Sequence, residues 1–484
     1  MSEWFAIFPS LIAIILAIWT KQVIPSLLIG LWVGSILLTQ SFFQSISKTI
    51  DYINGVLVDP GNMNVLLFLY IFSSLVALIQ ISGGIQAFTR LMGKYVTNVK
   101  RTMITLWGLL PITFIDCGFR VVATGAMIKP LAEKFNISKE RLAYMLNNSA
   151  SPVIVLIPIA TTYVAYTLGV VGKGMQAAGV EGSAFSFFVQ SLPFHFFSFT
   201  SIAITIFSIV PAFNFGKMKD FITVVKPEPA YGTEFSEEFH NNTKKAEASK
   251  DQIGASMKNM EHDHDMDEKP LLKPRLFNLI VPIAILIPLS FYLMLTGDDP
   301  SRSMLIALAI TTALTAVLYQ IQGIKLNILV DRFFKGGNKL IVTIAILAVA
   351  WPISDVSQDL GIRTLIETTL GNTLNPVFVP VIIFVVTSAV AYFIGSSWGS
   401  WALMMPIAIP LALTTGGGIP IAIAAVLSGG TFGDVTSPVS GMTAMSSGIT
   451  EADHMRYIKA MTPYNMTAAA LAAVLFLSIP MLFS

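Results

Sequence analysis

Residues Phe114–Pro130 read FIDCGFRVVATGAMIKP, and the fold turns on how this stretch sits in the chain. It places an acid, Asp116, and a base, Arg120, among residues that are otherwise almost wholly apolar. A charge at bilayer depth costs at least about 2.5–3.5 kcal/mol, so such residues face a partner or a wet cavity. Positions i and i+4 of a helix are neighbours, so Asp116 and Arg120 are expected to pair. Gly118 lies between them, with Pro111 ahead and Gly125 and Pro130 behind. An interrupted hydrophobic segment carrying ionisable groups is the sequence sign of a transporter site. The stretch therefore reads as a substrate or ion site.

Both flanks are basic. Arg90, Lys94, Lys100 and Arg101 precede the run, and Lys134, Lys139 and Arg141 follow it. Lysine and arginine collect on the cytoplasmic side of membrane proteins. The run of about 103–130 must then enter and leave from one side, as a re-entrant hairpin with Asp116–Arg120 at its tip. The alternative is one kinked crossing helix, which leaves Lys134 to Arg141 outside, against that bias.

The rest of the chain supports a membrane reading. Of its 484 residues 54% are hydrophobic and only 12% charged, against about 25% charged in soluble domains. The chain is expected to be multi-pass in the cell membrane, with the lipid bilayer as its surroundings. A net charge of +2 suggests no nucleic-acid partner. The single cysteine, Cys117, excludes an intrachain disulfide. The first apolar run, Trp4 to Trp19, has Glu3 rather than a basic region before it and no small-residue cleavage site, so it reads as a retained span.

Apolar runs of spanning length, or nearly so, fall at about 4–20, 23–39, 64–82, 143–170 and 192–212, then at 275–296, 303–321, 340–356, 420–445 and 463–483. Between the two series lies 214–274, polar and charged, read as a cytoplasmic disordered linker. It contains EHDHDMDE, Glu261–Glu268, which has metal-ligand residue types but no defined spacing and reads as a solvated charge run. A second interrupted run, 377–412, carries GSSWGSW at Gly395–Trp401 and must enter from outside. Asp355 and Asp359 near the outer end of 340–356 read as interfacial. The fold expected is an all-α polytopic membrane protein, with two inverted repeats, opposed re-entrant hairpins and broken helices. Its halves are 1–213 and 275–484, with about ten spanning helices besides the two hairpins.

After each hairpin comes a similar motif: NNSASPV at Asn147–Val153 and GDVTSPV at Gly433–Val439. Each has a polar residue, Asn148 or Asp434, four positions before the proline. Proline frees the carbonyl one turn earlier, and freed carbonyls with hydroxyl oxygens can hold sodium. Asp434, Ser149, Ser151, Thr436, Ser437 and Ser440 are the expected sodium ligands. Asp116, Arg120, Asn147, Asn148, Ser396, Ser397 and Trp398 are the expected substrate-binding residues. Small polar residues also let helices pack closely, and a single serine reads that way more readily than as a ligand. No cofactor is expected beyond sodium as coupling ion.

At LAYMLNNSASPV, AWPISDVSQDLG, GSSWGSWALMMPIAIPLA and GGTFGDVTSPVSGMTAMSS the chain resembles the NhaC-type sodium/proton antiporter family, part of the ion-transporter superfamily. The resemblance runs from about Val65 to Tyr464 without the linker, and it implies two inverted repeats with opposed hairpins. Many superfamily carriers are dimers, so a homodimer is open. The chain also departs from the family pattern. Cys117 stands where the family has a second aspartate, Arg120 where it has asparagine, and Asn147 and Gly441 where it has aspartates.

Three carboxylates are thus missing and one arginine gained. Arg120, always protonated, would hold a paired Asp116 ionised and unfit to carry protons, or could bind a substrate carboxylate with both arms of its fork. The leading expectation is sodium-coupled transport of a small organic solute, such as an amino acid or carboxylate, by alternating access. The alternative is sodium/proton antiport with Asp434 as the exchanging acid. A channel or enzyme lacks support, since neither a selectivity ring nor a nucleophile–base or metal motif is visible.

Overall fold

Backbone polar groups in lipid must be satisfied within their own segment, which leaves a chain this apolar little choice but helix. The computed structural model describes residues 5–6, 8–20, 22–84, 87, 91, 96, 98–114, 116–159, 161–210, 213–214, 216–219, 271–296, 300–361 and 374–483. Among them there are helices and turns and no strand. Nearly all of the expected linker 214–274, with EHDHDMDE, lies outside the described residues.

One order of elements occurs twice. The first series runs α1 (Phe8–Thr20), α2 (Val23–Thr39), α3 (Phe42–Val58) and α4 (Pro60–Ile81). It continues with α5 (Val99–Gly108), α6 (Cys117–Lys134), α7 (Lys139–Asn148), α8 (Thr162–Ala178), α9 (Ala184–Ser191) and α10 (Phe196–Phe207). The second runs α11 (Phe277–Thr296), α12 (Pro300–Ile321), α13 (Leu326–Asn338) and α14 (Ile341–Asp359). It continues with α15 (Val379–Ile394), α16 (Ser397–Thr415), α17 (Ile419–Thr436), α18 (Gly441–Thr450) and α19 (His454–Phe483). Each series has two apolar helices, an amphipathic one, another apolar helix, a helix pair closed by a polar tip, and a helix interrupted beside Ser-Pro-Val.

By length and composition seven helices of the described residues can cross a membrane, or eight if the bent pair Ala184–Phe194 and Phe196–Phe207 is one span. Phe8–Thr20, Val23–Thr39 and Phe277–Leu293 are shorter apolar helices. The amphipathic α3 and α13 were not among the runs expected from hydropathy, because each is too polar to count as a span. α3 exposes Phe42, Phe43, Ile46 and Ile50, and α13 exposes Leu326, Val330 and Phe334. Such helices suit the membrane–water boundary.

Two expected spans are interrupted. The run 143–170 stops at Asn148, makes a short turn at Ser151–Ile154 and resumes as helix only at Thr162. The run 420–445 stops at Thr436 and resumes at Gly441. Proline is the cause in both, since Pro152, Pro158 and Pro438 lack the amide that would continue the ladder. Proline also pushes the residue before it to extended backbone, and Ser437 has φ −67°, ψ 133°.

The interrupted span Ile419–Thr450 is the most enclosed of all. Its apolar window is 89% buried, against 28% for His454–Met481, and Asp434 within it is buried. Glycines make this possible: a Cβ on Gly433 would lie 2.3 Å from the Cβ of Ala391 on α15. Only a bare backbone allows that approach.

Candidate ion site at two helix breaks

Asp434 sits on the last turn of α17, buried, and its carboxylate gathers hydroxyls from both halves of the chain. Ser151 Oγ, beside the first break, donates to Oδ2 at 2.6 Å. Ser440 Oγ, beside the second, donates to Oδ1 at 3.1 Å. The Tyr163 hydroxyl lies 2.9 Å from Ser151 Oγ and 3.3 Å from Asp434 Oδ2. No basic side chain pairs with Asp434 among the described residues. A hydroxyl can donate to a bare carboxylate or turn a lone pair toward a cation. The cluster can therefore hold the charged acid, its protonated form or a small hard cation.

Aromatic packing brings the second tip to this cluster. Trp398 meets the ring of Tyr163 edge-on at 5.0 Å and that of Tyr166 at 4.5 Å, and the Tyr166 hydroxyl donates to the Trp398 carbonyl. Ser396 caps α16, accepting from Gly399 N at 3.2 Å. Ser397 Oγ is buried with no hydrogen-bond partner. Gly395 turns the tip with φ +73°, and a Cβ there would lie 2.7 Å from the Val439 carbonyl oxygen. The tip thus rests directly on the second break.

The first tip reaches the same place through α8. Asp116 is the N-cap of α6, accepting from Phe119 N at 2.9 Å with Oδ1 and from Thr162 Oγ1 at 2.9 Å with Oδ2. Thr162 adjoins Tyr163, so one turn of α8 links Asp116, the Asp434 cluster and Trp398. Asp116 is partly exposed where Asp434 is buried.

The expected Asp116–Arg120 pair does not form. Asp116 has extended backbone, φ −150°, ψ 145°, and stands outside the helix, so the i, i+4 neighbour relation does not apply. Its carboxylate is turned to the orphan amides of the first helical turn. Arg120 is wholly buried and looks the other way. Its Nε donates to Ser149 O at 2.5 Å, Nη1 to Thr113 Oγ1 at 2.8 Å and Nη2 to Leu106 O at 3.4 Å. Arg120 thus ties both arms of the first helix pair to the break in the next helix.

The other expected ligands divide. Ser149 Oγ donates to Leu146 O at 3.0 Å and does not reach Asp434. Ser437 Oγ accepts from Val439 N at 3.3 Å, and Thr436 Oγ1 is buried without a partner. Asn147 Nδ2 donates to Val435 O at 2.9 Å and to the Tyr457 hydroxyl at 2.7 Å. Asn148 Nδ2 donates to Asn465 Oδ1 at 2.6 Å and Ser201 Oγ at 3.1 Å. Both asparagines brace one break against helices of the other half, while their Oδ1 atoms are buried and unpartnered. Tyr163, Thr162, Tyr457 and Asn465 were not among the expected site residues. Each sits in an apolar helix where an isolated tyrosine, threonine or asparagine reads as packing.

Ion pairs lie away from the cluster. Lys129 and Lys139 hold Glu451 at 2.6 and 3.2 Å. Asp355, expected to be interfacial, is partly buried and pairs with Lys173 of α8 at 3.2 Å, and Asp359 accepts from the Tyr52 hydroxyl. No group of three histidine, cysteine, aspartate or glutamate side chains that could hold a metal occurs among the described residues.

The model of the Na+/H+ antiporter family matches residues 153–479, about two thirds of the chain. A Haemophilus influenzae protein described as uncharacterised is 27% identical over the whole chain and 92% of its own length. The malate-2H+/Na+-lactate antiporter of Bacillus subtilis is 24% identical over 43% of this chain and 44% of its own. Among solved structures, Neisseria gonorrhoeae MtrF superposes with a TM-score of 0.57 over 91% of this chain and 85% of its own, at 14% identity, a likeness of fold alone. The chain belongs to the Na+/H+ antiporter family, a family of cation-coupled membrane transporters.

Proposed function

We propose that the protein exchanges sodium for protons, with Asp434 as the group that holds each in turn. The observation that carries this reading is a buried acid whose partners among the described residues are all hydroxyls. An isolated buried charge costs several kcal/mol even after relaxation. A bound sodium ion or a proton removes that cost, whereas the bare carboxylate bears it in full. The protein therefore changes its open side readily when Asp434 is occupied and slowly when it is empty, which is the requirement for tight exchange. Ser151, Ser440 and Tyr163 serve both states, donating to the bare acid and accepting toward the ion.

A second reading adds a small organic anion to the same cycle. It is favoured by the partly exposed Ser396 and Trp398 beside the cluster and by the similarity to the malate-2H+/Na+-lactate antiporter of Bacillus subtilis. Arg120 does not support it, because its fork is engaged with backbone and Thr113. An inward sodium gradient across proteoliposomes that enclose a pH dye separates the two. Internal alkalinisation with no solute present supports plain exchange. A response that appears only when a carboxylate or amino acid is supplied supports the second reading. No proton movement under either condition overturns both.

A further inference from the structure

His454, the first residue of α19, reaches back to the second break. Its Nε2 lies 2.8 Å from the Pro438 carbonyl oxygen and its Nδ1 lies 2.9 Å from Ser447 Oγ on α18. A carbonyl only accepts, so Nε2 must carry a proton. The Pro438 carbonyl sits at the point where the helix is interrupted and has no other hydrogen-bond donor among the described residues. Two residues further on, Ser440 Oγ donates to Asp434.

We infer that His454 is a positioning residue for the ion site, clamping the Ser437–Ser440 segment so that the Ser440 hydroxyl stays on Asp434. This rests on Asp434 being the ion site. Other bonds hold the ends of the segment: Ser437 N donates to Gly433 O at 2.9 Å and Ser440 N to Ser437 O at 3.2 Å, Met442 N donates to Ser440 Oγ at 3.1 Å, and Thr443 Oγ1 donates to the carbonyls of Ser437 and Ser440 at 2.8 and 2.9 Å. The imidazole reaches the Pro438 carbonyl, in the middle of the segment, from outside the broken helix.

Two substitutions separate the two ring nitrogens. The amide of Gln extends to where Nε2 stands, and that of Asn only to where Nδ1 stands. Sodium-driven proton movement is measured in proteoliposomes for wild type, His454→Gln, His454→Asn and Asp434→Asn. Loss of the part-buried hydrogen bond to the break is expected to raise the half-saturating sodium concentration of His454→Asn about tenfold. The maximal rate of His454→Asn is expected to stay within about twofold, and His454→Gln to restore half-saturation to within about threefold. Equal half-saturation in the Gln and Asn variants, with Asp434→Asn defective, overturns the role of His454 and leaves the ion site standing. Unchanged sodium activation in Asp434→Asn overturns the ion site itself.

Discussion

Replacing Asp434 with Asn keeps the shape of the side chain and removes its charge. A sodium ion seated roughly 3 Å from a carboxylate gains about 5 kcal/mol at an effective dielectric constant of about 20. The amide oxygen recovers part of this through its own dipole, which leaves a net loss of about 3 kcal/mol, or at least about 100-fold in sodium affinity. The amide NH2 also faces hydroxyls that donated to the acid, so Ser151 and Ser440 must turn. Folding should not suffer, because the substitution removes a buried charge that no basic group compensates. The assay is sodium-dependent proton movement in proteoliposomes, with melting temperature measured on the same preparation. Sodium activation should disappear across the accessible range while the melting temperature falls by no more than about 2 °C. A variant that retains wild-type half-saturation refutes the reasoning, since nothing else in the cluster carries a charge.

Substitutions at three further positions probe the framework. Arg120→Gln should lower thermal stability by about 2–4 kcal/mol, read as a large drop in melting temperature, and Arg120→Lys should not rescue it, because an ammonium cannot span Ser149 O and Thr113 together. A stable Arg120→Gln protein that loses only solute uptake would return Arg120 to the substrate site. Gly395→Ala should abolish transport, since it forces a side chain into left-handed backbone and against the Val439 carbonyl; normal uptake by purified, folded protein would contradict this. Glu451→Gln should cost well under about 1 kcal/mol, as the pair is exposed. Hydrogen bonds from Lys129 and Lys139, and then their charge, hold the Glu451 carboxyl below its usual range. Its contribution is present above the unfolded pKa and lost as pH falls through the lower folded one, so the melting curves of variant and wild type should begin to converge only as pH falls below the ordinary glutamate range of about 4.

Sequence legibility followed from what each signal depends on. Composition settled the membrane class, because burial in lipid tolerates few charges anywhere in a span. The two Ser-Pro-Val motifs drew attention to polar clusters beside prolines, but the runs that hold them read as continuous spans, because hydropathy does not register a break. Asp434, Ser151 and Ser440 stood among the expected sodium ligands, and their side chains meet in the structure. Asp116 and Arg120 were read as a pair because they are four apart, yet that spacing means adjacency only inside a helix. The helix begins at Cys117, one residue too late. Tyr163 was missed for a different reason. In Thr162–Ala178 a tyrosine at helical spacing looks like core, and only the fold shows that its hydroxyl ends at Asp434. Likewise α3 and α13 escaped hydropathy, since an interfacial helix is half polar by design.

Exchange at Asp434 requires that sodium and protons compete for one carboxylate. Sodium-binding isotherms of the purified protein, taken over a series of pH values, address it without requiring the transported solute to be known. Competition at Asp434 predicts that the apparent Kd for sodium rises toward about tenfold per pH unit on the acid side, with proton release on binding, and that Asp434→Asn abolishes both. A sodium affinity that is independent of pH, or proton release that survives Asp434→Asn, would contradict the account.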